Sequence, residues 1–117
     1  MARDPEVSIE KFLFSKGGSG LLAVLKDGNK QFRELRNEMD VSETTLSQRL
    51  DEAAYLGFTE EVRGRKNGRR VKFHQLTDYG KPFADRLAHE GVVRNYAEMV
   101  KHKREIEKAL PDVMEHI

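Results

Sequence analysis

Cysteine is missing from this 117-residue sequence. With it go disulfide staples, thiolate metal sites and thiol-based redox sensing, and the expected compartment is the cytoplasm. Long apolar runs are missing as well. No stretch approaches the roughly 20 apolar residues that span a bilayer, and the opening "MARDPEVSIEKFLF" has neither the apolar run nor the small-residue cleavage site of a signal peptide. A soluble chain with no membrane partner is expected. Signs of catalysis are equally sparse. The 4 histidines, His74, His89, His102 and His116, show no H-x-x-x-H or HExxH spacing, so surface or structural roles suit them better than a metal site. "GGSG" at residues 17–20 lacks the Gly-Lys-Ser/Thr that follows in a phosphate loop and reads as a break between helices. The expectation is a protein without enzymatic activity, metal or cofactor.

What is present is charge, unevenly placed. A net charge of +1 hides 8 Lys and Arg against 11 Asp and Glu in residues 1–60, 8 against 4 in residues 61–90, and 5 against 5 beyond. Within the middle part, the ten residues from Arg63 to Lys72 hold six cations and no acid. A local patch governs association with polyanions more than the sum does. At this length one domain is expected, burying on the order of two thirds of the surface its unfolded chain exposes.

Periodicity supplies the elements. "GLLAVLKDGN" is a short apolar helical segment stopped by the turn-forming Asp27-Gly28-Asn29. "FRELRNEM" sets Phe32, Leu35 and Met39 on one side of a two-turn helix. "DVSETTLSQRLDEAAYLGF" offers Ser42 as N-cap and Gly57 as stop, with Leu46, Leu50 and Ala53 along one stripe. These two helices, joined by a short "DV" turn, make a helix-turn-helix candidate. After Gly57 the period falls to two. Asn67-Gly68 is the strongest short signal for a two-residue type I′ hairpin, since both positions need positive φ. That turn sets Lys66 against Arg69, Arg65 against Arg70, Arg63 against Lys72 and Val62 against Phe73, with Val62 and Phe73 expected to face the core. Thr77 caps a further helix, "DYGKPFADRLAHE", where Pro82 sits deep enough to cost a backbone hydrogen bond or kink the start. "SKGGSG" at residues 15–20 is the one flexible-looking stretch. The fold class expected is α+β, mainly α: a winged helix-turn-helix with a two-stranded β-hairpin wing and terminal dimerisation helices.

Like charges facing one another across a hairpin repel by an amount comparable with the few tenths of a kcal/mol that a cross-strand pair normally contributes. Three opposed cationic pairs are easier to understand if a partner brings anions, and beside a helix-turn-helix the phosphates of double-stranded DNA are that partner. A hairpin directly after a recognition helix (residues 42–56) forms a wing (residues 62–74) that reaches the backbone or minor groove while the helix enters the major groove. Arg63, Arg65, Lys66, Arg69, Arg70 and Lys72 are the phosphate candidates. Opposite the Leu46, Leu50 and Ala53 stripe, Thr44, Ser47 and Gln48 are the base-reading candidates, with Thr45 and Arg49 at the flank for base or phosphate. The bland alternative is a solvated helix face. As a function of a different class, the same fold acts as a winged-helix protein-protein interaction module whose wing meets an acidic surface.

The last third repeats apolar residues at Val92, Tyr96, Met99, Ile106, Leu110, Val113 and Ile117, a heptad seam interrupted by Lys103, with Pro111 as a place to end or bend. Two domain parts are expected: residues 1–90 as the DNA-binding domain with an N-terminal helical extension, and residues 91–117 as an amphipathic dimerisation helix. Val92, Tyr96, Met99, Ile106 and Leu110 are the homodimer candidates, joined by Ile9, Phe12 and Leu13 from the N-terminal segment. Packing on the domain's own core is the competing role for all of them. Any small-molecule effector is unmarked.

"LLAVLKDGNKQFRELRNEMDVSETTLSQRLDEAAYLGFTEEV" followed by "RRVKFHQLTDYG" resembles the winged helix-turn-helix transcription regulators of the HxlR and MarR-like kind. The shared pattern is an F-x-E-L helix, an S-x-x-x-L-S-x-R-L recognition helix and an L-T-x-x-G segment, over about residues 20–88. The resemblance implies a dimeric regulator whose terminal helices meet, and assigns recognition to the helix with Thr44, Ser47, Gln48 and Arg49. Three departures stand out. Gln31 replaces an Arg common in that family, Ala53 and Ala54 stand where Leu is common and imply a thinner core, and the reactive cysteine of some members is absent.

Overall fold

A computed structural model describes residues 8–115. They form α1 (Ile9–Phe14), α2 (Gly18–Leu25), α3 (Phe32–Met39), α4 (Glu43–Tyr55), β1 (Thr59–Lys66), β2 (Arg69–Leu76), α5 (Gly80–His89) and α6 (Val92–Glu115). The fold is mainly helical, with a two-stranded antiparallel hairpin.

Helix α2 is the hub. It touches α1, α3, α4, α5, α6 and β2, because its "GLLAVL" segment is apolar on nearly every side and Leu21, Leu22 and Leu25 are buried. Around it close Phe12 of α1, Leu35 and Met39 of α3, Leu46, Leu50 and Ala53 of α4, and Phe58 just before β1. Each fully buried Leu or Phe contributes roughly 1.5–3 kcal/mol over an exposed one. Phe58 makes ring contacts with Phe12, Tyr79 and Phe83, at centroid distances of 5.7, 5.7 and 4.6 Å. It joins the first and fifth helices through one side chain.

The glycines near the start of α2 have a role other than flexibility. Of "SKGGSG", only Ser15 to Gly17 is a turn, and Gly18 and Gly20 lie buried in the helix. A Cβ on Gly18 would run into the Phe12 carbonyl, and one on Gly20 into the Tyr96 ring. Close approach, rather than a loose hinge, requires glycine at both positions.

Helix ends follow local chemistry. Gln31 opens α3 with a capping box, its own N–H donating to Glu34 Oε1 at 2.8 Å. The residue that departs from the family pattern thus has a structural use. Ser42 Oγ accepts from Thr45 N–H at 3.1 Å to start α4, and Gly57 ends it at φ +84°. Ala53 is fully buried, whereas Ala54 is exposed and takes no part in the core. Thr77 Oγ accepts from Gly80 N–H and donates to the Gly57 carbonyl, stitching the start of α5 to the end of α4. Lys81 N–H already donates to the Thr77 carbonyl at 3.0 Å, so the helical ladder starts at the capping threonine, and Pro82, next in line, lacks the N–H that would reach the Asp78 carbonyl.

The hairpin has the anticipated register, with Val62 opposite Phe73 and Lys66 opposite Arg69, and positive φ at Asn67 (53°) and Gly68 (77°). The face that meets the core is the other one. Thr59, His74 and Leu76 are buried, while Val62 and Phe73, on the opposite side of the pleat, remain half-exposed. At the base of the wing the open edge of β2 is paired. Lys30, in the loop before α3, pairs with His74 as a short bridge (Lys30 N–H to His74 O 2.9 Å, His74 N–H to Lys30 O 2.7 Å).

His74 is consequently buried, and burial pushes its imidazole below the ordinary value of 6.5, with Lys72 acting in the same direction and Glu61 against it. The folded state prefers the neutral ring, so the unfolded chain binds more protons in the interval below 6.5. Stability from this site is complete above that value and declines as pH falls through it. We expect the thermal midpoint to drop between about pH 7 and 5, and His74→Gln to reduce that slope. A wild-type midpoint independent of pH over this interval would contradict the assignment.

Candidate nucleic-acid interface

Helices α3 and α4 are joined by Asp40 and Val41 with the capping Ser42, and the direction change is made at Asp40, which takes a left-handed conformation at φ 46°. Leu46, Leu50 and Ala53 point into the core, and the 3.6-residue period therefore turns Thr44, Ser47 and Gln48 to solvent. All three are exposed. Thr45 is half-buried, and its hydroxyl accepts from Ser42 Oγ at 3.0 Å.

Arg49 is differently placed from the other candidates. Its Nε donates to the Lys16 carbonyl at 2.8 Å and its Nη1 meets Glu52 Oε1 at 2.6 Å, with only 15% of the side chain exposed. The guanidinium ties α4 to the turn before α2 and is charge-compensated within the domain. Sequence alone could not show this, because the Lys16 carbonyl lies 33 residues away.

On the wing, all six cationic candidates are exposed. Lys66 Nζ lies 3.7 Å from Glu34, and Lys72 Nζ lies 3.6 Å from Glu61. Arg65 donates to the Gly68 carbonyl at 3.3 Å, closing the tip. Arg63, Arg69 and Arg70 have no partner among the described residues. Exposed pairs such as those of Lys66 and Lys72 contribute about 0–1 kcal/mol and exchange readily for another anion.

Two ion pairs join the wing and α4 to α3. Lys66 at the wing tip reaches Glu34 in the first turn of α3, and Arg36, two residues on, meets Glu43 in the first turn of α4 at 3.2 Å. Glu34 is held below the usual carboxylate range, chiefly by the Gln31 N–H and also by Lys66 and Lys30, against the opposing effect of burial.

The dimer candidates divide. Phe12 is 1% exposed and belongs to the protomer's own core, its ring tilted against that of Phe58. Ile9 and Leu13 are partly buried against the same cluster. Val92 and Tyr96, at the start of α6, are half-buried, and the Tyr96 hydroxyl donates to the Met39 carbonyl at 2.9 Å. Burial raises the phenol above its ordinary value. Met99, Ile106 and Leu110 are exposed at 52%, 62% and 48%. Sequence reasoning passed over Val100, which is buried, and Phe14, which is 84% exposed. Phe12 shares its helical face with Ile9 and Leu13 and turns inward, while Phe14 lies off that face. Helix α6 continues through Pro111 to Glu115; Ile117, the last residue of the expected seam, lies outside the described residues.

Among the described residues, no group of three or more His, Cys, Asp or Glu side chains could hold a metal ion, and no helix is long and apolar enough to cross a membrane.

Comparison with known proteins converges on one fold. A family model described as HxlR-like helix-turn-helix matches residues 15–99. The transcriptional repressor BigR from Xylella fastidiosa superposes with a TM-score of 0.61 at 23% identity, over 73% of this chain and 81% of that one. YtfH of Salmonella typhimurium, regarded as a transcriptional regulator, gives 0.55 at 28% identity, over 96% and 89%. The redox regulator HypR in its reduced form gives 0.56 at 20% identity, over 85% and 92%. The search of curated proteins returned no match.

Proposed function

The chain belongs to the HxlR-like helix-turn-helix family and is a DNA-binding transcriptional regulator of the winged-helix kind; from that premise we propose that it works as a homodimer reading a specific duplex site. Helix α4 enters the major groove, with Thr44, Ser47 and Gln48 toward base edges. Gln48 suits bidentate pairing to adenine, and the Thr and Ser hydroxyls suit bases or phosphates. The wing follows the backbone or adjacent minor groove, where Arg63, Arg69 and Arg70 supply uncompensated charge and Arg65, Lys66 and Lys72 add to it. Arg49 holds α4 in place from behind, and Thr45 serves the cap. The exposed apolar residues of α6, Met99, Ile106 and Leu110, meet a second copy, with Ile9 and Leu13 alongside Val92 and Tyr96 at the rim. Phe12 contributes only by shaping the core beneath.

The observation that carries this reading is the exposure of three arginines without a partner among the described residues on a hairpin that directly follows the helix exposing Thr44, Ser47 and Gln48. A twofold arrangement of two such units suits a palindromic site with half-sites about one turn, roughly 34 Å, apart. The lack of cysteine sets this chain apart from regulators that sense through a thiol.

Selection of bound sequences from a random duplex pool should return a palindrome. Arg69→Ala with Arg70→Ala should then weaken binding to every sequence alike, whereas Gln48→Ala should alter preference at one base position, costing roughly 1–3 kcal/mol there. Equal loss on all sequences after the Gln48 change would remove it as a reader, and an empty selection would favour protein docking over DNA recognition.

Dimerisation has its own check. Met99→Glu or Ile106→Glu places a charge in the apolar contact and should give monomers in sedimentation. An unchanged mass in both variants would show that the exposed half of α6 is not the interface.

A further inference from the structure

The helix-turn-helix and α6 are bolted together at one point, and that point is the turn itself. Tyr96 lies on Gly20 of α2, where no side chain would fit, and its hydroxyl donates to the Met39 carbonyl. Two turns later Arg104 Nη2 donates to the Asn37 carbonyl at 2.7 Å. The last carbonyls of α3 are therefore capped from α6, with a cation at the negative end of the helix dipole. Between these contacts sits Asp40, the left-handed residue that redirects the chain into α4. Its carboxylate lies 3.3 Å from Lys103 Nζ and 3.7 Å from Arg104 Nε.

Arg104 is also where α6 leaves its own domain. Val100 is buried, whereas every residue described from Glu105 to Glu115 is exposed. The Asp40 contact is thus the fulcrum between the projecting arm and the helix that faces DNA. We propose that Asp40, gripped by Lys103 and Arg104, is a positioning residue that sets the spacing between the two half-sites; this rests on the dimeric reading above. In a dimer joined through the projecting arm, the angle between arm and α4 determines where the second α4 lands. A change of one base pair between half-sites moves one of them about 3.4 Å and turns it about 34°. Asp40 is only 24% exposed, against 43% for Lys103 and 48% for Arg104, and loosening this grip lets the arm pivot and accept neighbouring spacings.

The test uses the full chain and two variants acting from opposite sides. Asp40→Asn keeps a residue type that tolerates the left-handed conformation, and Arg104→Gln leaves the turn residue untouched. The probes are duplexes carrying two copies of the selected half-site at the preferred spacing and at one base pair more or less, with a single-half-site duplex as control. Wild type should prefer one spacing by about tenfold, and the variants should bring that ratio to about twofold or less. Their sedimentation mass and single-half-site affinity should stay unchanged, which a general loss of fold would not allow. Variants that keep the wild-type spacing ratio would overturn the proposal. Wild type that sediments as a monomer and binds one half-site as well as two would overturn the dimeric reading, and the proposal with it.

Discussion

Three pairs of cations face one another across a hairpin, and the Asn67-Gly68 turn holds them in that register. Lys66 opposes Arg69, Arg65 opposes Arg70 and Arg63 opposes Lys72, an arrangement that repels itself and cannot be relieved by sliding the strands. The domain offers partial compensation from Glu34 and Glu61 and leaves Arg63, Arg65, Arg69 and Arg70 without an acidic partner among the described residues. A protein that concentrates uncompensated charge on a rigid tip gains most from a polyanion whose counterions are released on contact. The rest of the structure holds that tip in place. The Lys30–His74 bridge anchors the base of the wing, Phe58 seats the hairpin on the helical core, and Lys66 ties the tip to α3.

The helix-turn-helix is organised around the same demand for fixed geometry. Its inner face is a stripe of Leu46, Leu50 and Ala53, and Arg49 is used internally, held by Glu52 and the Lys16 carbonyl. Nothing on the outer face of the first turns needs to pack, so Thr44, Ser47 and Gln48 are available for contacts. Rigid placement of short polar side chains suits base reading, where a bidentate pair depends on position as much as on chemistry.

Features governed by near neighbours in the chain were readable from the sequence. Ser42 and Gly57 bracket α4, Asn67-Gly68 fixes the strand register, and the family pattern predicts the fold. Features decided by distant partners were not. Gly18 and Gly20 look like a flexible break until Phe12 and Tyr96 are seen pressed against them. Val62 and Phe73 share a face as expected, but Thr59, His74 and Leu76 on the other face are the ones buried. Ile9, Phe12 and Leu13 share a helical face as their spacing predicts, but the protomer's own core receives Phe12. The seam along α6 is broken in sequence only at Lys103, yet its first turns pack at home while the remainder projects. A stripe records that a helix buries one side, without recording against what.

The central claim is that the crowded wing charge is there to meet phosphate. It is tested most directly by measuring affinity for the selected duplex across a series of salt concentrations. With six to ten phosphate contacts in a dimer, log K should fall with log salt at a slope of about −5 to −9. A slope near zero, or no duplex complex even at low salt, would contradict the account.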